Sequence, residues 1–461
     1  MAETRRDALV RWPWLRRTLT SRLWSAAAAL ITLAGFVLAI LAGLWGTPAG
    51  ARNFGIVFVW IVWWAALIIG LVPLFGRLWC AICPIPAPGE WLQRRGIVQQ
   101  LPERRLGLGR RWPRRLRNIW LQNASFLLVA LFSMLILTRP AVTGWLLLGF
   151  LVVSLALSLV FEGRAFCRYL CPVGGFIGVF SLLAPLELRV KERGVCQQHS
   201  PKDCLTGTNC SYGCPWGVYP GTLQRNMHCG LCAECLRSCP QDNITINLRL
   251  PAADLWVAGE RRLDEAYKVF IMLGCALLYS VVLLGPWGWL KQLANLETWG
   301  GWAIYAAGFL AVNLLVVPGL FWLTSAGARR LAGFPLPTRR LFIDYAYGLV
   351  PLGLAAWIAF SLSLVLVNAT YALPVLSDPF GWGWDLLGTA GVHWQPLATG
   401  WLPGLQAAVL LAGLAFSILA VYRIARQHAP RASTDQAWRA SLPLTAYLTG
   451  FVLLLMGVYL G

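Results

Sequence analysis

The sequence predicts an all-α polytopic membrane protein of about nine transmembrane helices, interrupted once by a small α+β insert. Three observations predict it. Of the 461 residues, 58% are hydrophobic and only 13% charged, a balance too apolar for a wettable globular surface. Apolar runs of about 20 residues, the length a bilayer core requires, recur along the chain. The stretch 190–250 breaks that pattern: it is polar, punctuated by Gly, Pro, Asn and Asp, and rich in cysteine.

The apolar runs fall at 24–45, 54–76, 119–138 and 142–162 before the insert, and at 268–288, 302–324, 346–371, 404–423 and 442–460 after it. The expected organisation is a four-helix membrane region (1–189), the insert (190–250) and a five-helix membrane region (251–461).

Charge sets the expected orientation. There are 39 Lys+Arg against 19 Asp+Glu, a net charge of +20, and the positive residues are clustered. Arg5, Arg6, Arg11, Arg16, Arg17 and Arg22 precede the first span, which places the amino terminus in the cytoplasm of a cytoplasmic (inner) membrane protein. Alternation then puts on the same side the loop from Arg94 to Arg117, the insert, and the loops holding Arg329–Arg340 and Arg423–Arg439. The basic loop near residue 110 lies between two spans with no nucleic-acid module around it, so it reads as a topology signal open to anionic lipid or an acidic partner, and nucleic acid is not expected. A cleaved signal peptide within residues 1–45 is not expected, because the apolar run is too long and lacks a cleavage site.

The first half contains a repeat. Gly76-Arg77-Leu78-Trp79-Cys80 with Cys83-Pro84 follows the second run, and Gly163-Arg164-Ala165-Phe166-Cys167 with Cys171-Pro172 follows the fourth. Two helical hairpins thus end in one motif at the same expected cytoplasmic depth.

The sharpest chemical signal is Cys229-x2-Cys232-x2-Cys235-x3-Cys239-Pro240. Three closely spaced thiolates wrap corners of a [4Fe–4S] cubane, and the fourth, placed before proline, ligates a second cluster. The partners lie upstream at Cys196, Cys204, Cys210 and Cys214-Pro215. The expected ligand sets are Cys229, Cys232, Cys235 and Cys214 for one cluster, and Cys196, Cys204, Cys210 and Cys239 for the other, giving two [4Fe–4S] clusters. Structural zinc prefers paired knuckles, and a reducing cytosol disfavours disulfides.

Cys80, Cys83, Cys167 and Cys171 form a second candidate metal site. Four thiols at one depth suit iron, a small iron–sulfur centre or a soft ion such as Cu(I), and suit a redox-active dithiol pair equally. Cys275, alone in the fifth run, reads as packing. The four histidines, His199, His228, His393 and His428, avoid the middles of the spans, so no intramembrane haem is expected, and no glycine fingerprint for NAD or nucleotide phosphates is present. His199 and His228 flank cluster cysteines as solvated or supporting groups. The tryptophans near Asp378 and Asp385 fit an interfacial belt, with a quinone pocket or a docking patch as the second reading, and Asp344 fits an interfacial carboxylate or, alternatively, a proton relay.

Over roughly residues 55–250 these motifs resemble the membrane-bound polyferredoxins of the NapH and NosR type, which also include CcoG-like accessory proteins. The Cys167–Pro172 segment has the family's Cys-x3-Cys-Pro form, whereas Cys80-x2-Cys83-Pro84 is one residue shorter, and the five later spans lie outside the family's common core. The resemblance implies electron transfer linked to a quinone pool or a membrane respiratory partner, without a catalytic side-chain triad; low-potential clusters would suit exchange with a soluble ferredoxin or flavodoxin. Two other functions fit the same residues: a membrane metal (Cu) reductase or assembly factor acting through the four repeat thiols, and a cluster-based redox sensor.

Overall fold

The computed structural model describes residues 6–98, 106–208, 211–257, 259, 261–428 and 434–460. Among them, eight helices are long and apolar enough to cross a bilayer: Arg22–Trp45, Phe54–Phe75, Pro140–Val160, Leu263–Leu284, Trp299–Ala332, Thr338–Ser377, Thr399–His428 and Thr434–Leu460. The chain is a multi-pass membrane protein by this criterion. The run predicted as one span at 119–138 forms two shorter helices instead, Trp120–Leu131 and Ser133–Thr138. They meet at Phe132, whose backbone leaves helical geometry (φ −95°, ψ 13°) and whose ring stacks on Trp302 at 4.9 Å.

The chain divides into two compact units. One comprises Met1–Ile40, Gly70–Gln122 and Trp145–Val257. It holds a three-stranded sheet of β1 (Arg6–Asp7), β2 (Leu186–Val190) and β3 (Ile244–Leu248) in the order β1-β3-β2. Both pairings are antiparallel; Leu186 faces Leu248, Val190 faces Ile244 and Asp7 faces Asn247, so β2 and β3 close the cysteine-bearing segment between them like the neck of a loop. Leu188, Ile244 and Ile246 of the sheet bury a small core with Leu231, Ala233, Cys235 and Leu236, and Ala8 and Leu9 join it from the chain's start.

Charge is buried under this sheet in compensated form. Glu187 and Asp254 are fully buried between Arg189 and Arg249, with Arg249–Glu187 at 2.8 Å and Arg189–Asp254 at 3.1 Å. Neither acid tolerates burial without those cations. Asp254 also accepts from the Asn226 N–H at 2.6 Å, which fixes the turn that leads into Cys229.

The other unit comprises Leu41–Ile69, Asn123–Gly144 and Ala258–Gly461. Its core is aromatic: Trp357 meets Trp64 at 5.6 Å, Tyr279 at 5.4 Å and Phe126 at 6.4 Å, and its Nε1 donates to the Met272 carbonyl at 2.9 Å.

Candidate metal centres

The segment Cys229–Cys235 is shaped by its backbone. Leu231 (φ 50°) and Ala233 (φ 59°) both adopt the left-handed conformation, uncommon for residues with a Cβ. Alternating handedness turns successive N–H groups to one side and makes a concavity for anions. Here the amides of Leu231 and Glu234 donate to Cys229 and Cys232, and those of Trp216 and Val218 donate to Cys214. Cys235 follows on the first turn of the helix Glu234–Ser238. These four sulfurs lie within each other's electrostatic range. Burial, reinforced by neighbouring thiols, pushes Cys229 up to about 11 and Cys232 up to about 12, and holds Cys235 well above the usual thiol range. Thiolates form at such a site when a cation compensates them. An all-sulfur donor set with inward-pointing amides fits an iron–sulfur cluster.

Cys196, Cys204 and Cys239 line a cavity together with His199, Lys202, Tyr219 and Asn243. Asn243 donates twice to sulfur, from its backbone N–H to Cys239 Sγ at 3.3 Å and from Nδ2 to Cys196 Sγ at 3.2 Å. Lys202 donates to the carbonyls of Cys196 and His199, and the Tyr219 hydroxyl donates to Cys196 as well. Cys210, the fourth residue expected here, lies outside the described residues. Cys204 acts electrostatically on Cys235, so the two thiol groups are neighbours.

The repeat motifs bring a third group together. Cys80 is on the short helix Leu78–Ile82, Cys167 on Ala165–Tyr169, and Cys171 caps Pro172–Phe180. Proline at the first helical position leaves the following amides free, and Val173 and Gly174 turn theirs on Cys171, the Gly174 N–H at 3.2 Å. The Ile85 amide does the same for Cys83 beyond Pro84. Cys83, Cys167 and Cys171 all feel one another or Cys80, and burial raises each of them, Cys171 to about 11. Among the described residues no three Cys, His, Asp or Glu side chains converge as they would on a single metal ion.

The glycines of the repeat have a structural reason. Gly163 has φ 64°, and a Cβ there would stand 2.5 Å from the Pro215 carbonyl oxygen. That closeness lets the Arg164 N–H donate to Pro215 at 2.8 Å, joining the second motif to the Cys214-Pro215 turn. The Arg164 side chain donates to the Cys80 carbonyl and forms a two-pronged pair with Glu90, its Nη2 at 3.0 Å from Oε2. Burial opposes the charge on Glu90, but Arg164 and Arg94 outweigh it and hold the carboxyl below the usual range. Arg77, the matching residue of the first motif, lies over the Trp216 ring at 4.3 Å and donates to the Met227 carbonyl. Gln122 donates to the Cys167 carbonyl at 2.9 Å.

Other singled-out residues lie elsewhere. Cys275 is buried in the helix Leu263–Tyr279 beside Asn313, 3.4 Å from its Oδ1. Asp344 is fully buried, at 2.9 Å from Arg340 and 3.1 Å from His428. Trp382 stacks on Phe380 at 4.4 Å, in a turn whose amides donate to Asp378. His199 lines the Cys196 cavity, and His228 lines a cavity beside Arg77. Glu90, Trp216 and Asn243 carried no motif and escaped the sequence reading; for Arg77 and Arg164 the repeat itself was the signal.

Known proteins bear on these groups. The family described as a 4Fe-4S binding domain matches residues 56–115 and 143–191. Those segments contain Cys80, Cys83, Cys167 and Cys171 and stop short of Cys196. The Escherichia coli (strain K12) protein named "Putative electron transport protein YccM" is 33% identical over 106 residues, 22% of this chain and 27% of that protein. "Uncharacterized protein MJ0750" of Methanocaldococcus jannaschii is 29% identical over 97 residues, 21% of this chain and 36% of that protein. The matches therefore span about a quarter to a third of the relatives' lengths. No solved structure matches the chain.

Proposed function

We propose that this multi-pass membrane protein, a member of the 4Fe-4S ferredoxin type by its matched segments, is an electron carrier in which three thiol groups hold iron–sulfur centres in a row. Cys214, Cys229, Cys232 and Cys235 hold the middle one. Cys196, Cys204, Cys239 and Cys210 hold the outer one, and Cys80, Cys83, Cys167 and Cys171 hold the one nearest the spans. When bound, each centre takes up and returns one electron; the protein supplies position and tuning.

The residues divide that work. Amides of the left-handed segment Leu231–Glu234 and of Trp216–Val218 stabilise thiolate charge in the middle group. Asn243 serves the outer group. The Cys-Pro helix start serves the group nearest the spans, where the match to a 4Fe-4S binding domain favours a polynuclear centre over Cu(I). The observation that carries this reading is the junction Arg164 N–H to Pro215, which ties one repeat motif directly to a ligand turn of the middle group. The two are thereby adjacent. Electrons run between a soluble donor or acceptor at the outer group and a quinone or membrane respiratory partner, with the basic loops and the thiol groups on the cytoplasmic face.

The test is iron and acid-labile sulfide per chain, with EPR of anaerobically purified protein poised across potentials and then challenged with a soluble quinol analogue. Three titrating cubane signals, at least one filled by quinol, are expected. Iron absent from the purified chain, or stoichiometric copper in place of iron at the repeat thiols, overturns the assignment.

A further inference from the structure

The two repeat arginines occupy equivalent places and have unequal surroundings. Arg164 is paired with Glu90, a second cation, Arg94, lying 3.7 Å from the same carboxylate. Arg77 is buried at 5% exposure and has no acidic partner among the described residues; its Nε and Nη2 make no hydrogen bond there. Among the described residues it donates to the Met227 carbonyl and lies against the face of Trp216. The adjoining cavity offers Gln122, Arg168, Trp216 and His228 and no carboxylate. A Cβ at Gly178 would stand 3.0 Å from Nη1, so that glycine leaves the guanidinium its room.

An uncompensated buried guanidinium costs several kcal/mol by the general rule for isolated ions, so a compensating anion is required. Its contacts border both thiol groups: Trp216 and Met227 each stand two residues from a middle-group cysteine, Cys214 and Cys229, and Gly178 belongs to the helix Pro172–Phe180 that Cys171 caps; its charge acts on Cys229 and on Cys171. Four thiolates around a cubane leave a net negative centre. We propose that Arg77 is a shared counter-cation of the two adjacent iron–sulfur centres and raises the reduction potential of both. This rests on the cluster assignment above. Adding an electron makes either centre more negative, and a fixed cation between them favours that reduced form in each. No atom is transferred; one electron leaves the reductant used in the titration and enters the centre.

The experiment is EPR redox titration of the full-length protein with Arg77→Gln and Arg77→Lys. In Arg77→Gln two potentials fall together by at least about tenfold in the one-electron equilibrium, about 59 mV, while the outer Asn243-bearing centre stays in place. Arg77→Lys restores both. If Arg77→Gln fails to retain iron and Arg77→Lys retains it, the requirement for charge is met in another form. Unchanged potentials, a shift of one centre alone, or equal losses in the two variants overturn the proposal. Failure of the cluster assignment is distinguishable, because it appears as missing iron in the unsubstituted protein.

Discussion

Asn243 illustrates what single residues contribute here: one side chain and its own backbone amide serve two sulfurs from different ends of the chain segment. Hydrogen bonds to a charged group are worth about 1.5–3 kcal/mol, and part of that differs between oxidation states. Asn243→Ala should therefore lower the outer centre's potential, by several-fold in its reduction equilibrium, with the other two unmoved in the same titration. Gly163→Ala meets two obstacles, a left-handed φ and the Pro215 carbonyl, and is expected to cost about 1–3 kcal/mol and to lower iron content, read by metal analysis and thermal melting. The buried thiols give a pH signature in the iron-free protein. Their folded values, about 11 for Cys229 and about 12 for Cys232, lie above the ordinary 9.0, so their contribution is present below pH 9 and is lost as pH rises through the folded values. Denaturant titrations of apoprotein should show stability falling across that window, and metal-loaded protein should not share the fall. The cysteines were legible because ligand spacing is local in sequence. Asn243, Glu90 and the unequal surroundings of Arg77 and Arg164 were not, since each is defined by a partner from a distant segment.

Among elements, the sheet was the least visible. β2 reads Leu-Glu-Leu-Arg-Val, and alternation would turn Glu187 and Arg189 to solvent; the fold buries both against Arg249 and Asp254. Asp254→Asn leaves two guanidiniums with one carboxylate and loosens the anchor of the Asn226 turn, so a loss of about 3–5 kcal/mol is expected, with weakened iron retention at Cys229. Calorimetry and iron content together check it. The starting residues were read for charge alone, yet Asp7 caps the first short helix, Arg16 pairs with Asp242, and Arg237 donates to the carbonyls of Leu19, Thr20 and Ser21 at the end of the helix Pro13–Thr20. Long helices were legible because length and apolarity are summed over some 20 residues. The break at Phe132 was not, because the residues around it remain apolar and only the stacking on Trp302 distinguishes the position.

On the scale of the molecule, the multi-pass architecture followed from composition and the repeat already grouped the thiols of the two hairpins, whereas the ties between segments, Arg164 to Pro215 and Gln122 to Cys167, required the fold. The sheet carries a further consequence for insertion into the bilayer. Asp7 pairs with Asn247, so both lie at one membrane face, and the chain between them crosses an even number of times. Three of the long helices fall in that interval, Arg22–Trp45, Phe54–Phe75 and Pro140–Val160. Three is odd. Were each of the three to traverse, parity would give the fourth crossing to the broken pair Trp120–Leu131 and Ser133–Thr138, and the nearness of Cys80 to Cys167 asks the same count of its shorter interval. A cysteine placed at Arg139 should react with an impermeant reagent only from the face opposite one placed at Arg111; equal reactivity from one face would mean that another helix in the interval fails to traverse. Synthesis adds a matter of timing: β1 is made first and its partner β3 only after the three long helices between them, so the sheet closes as a clasp over segments that have already emerged, with five further long helices still to come.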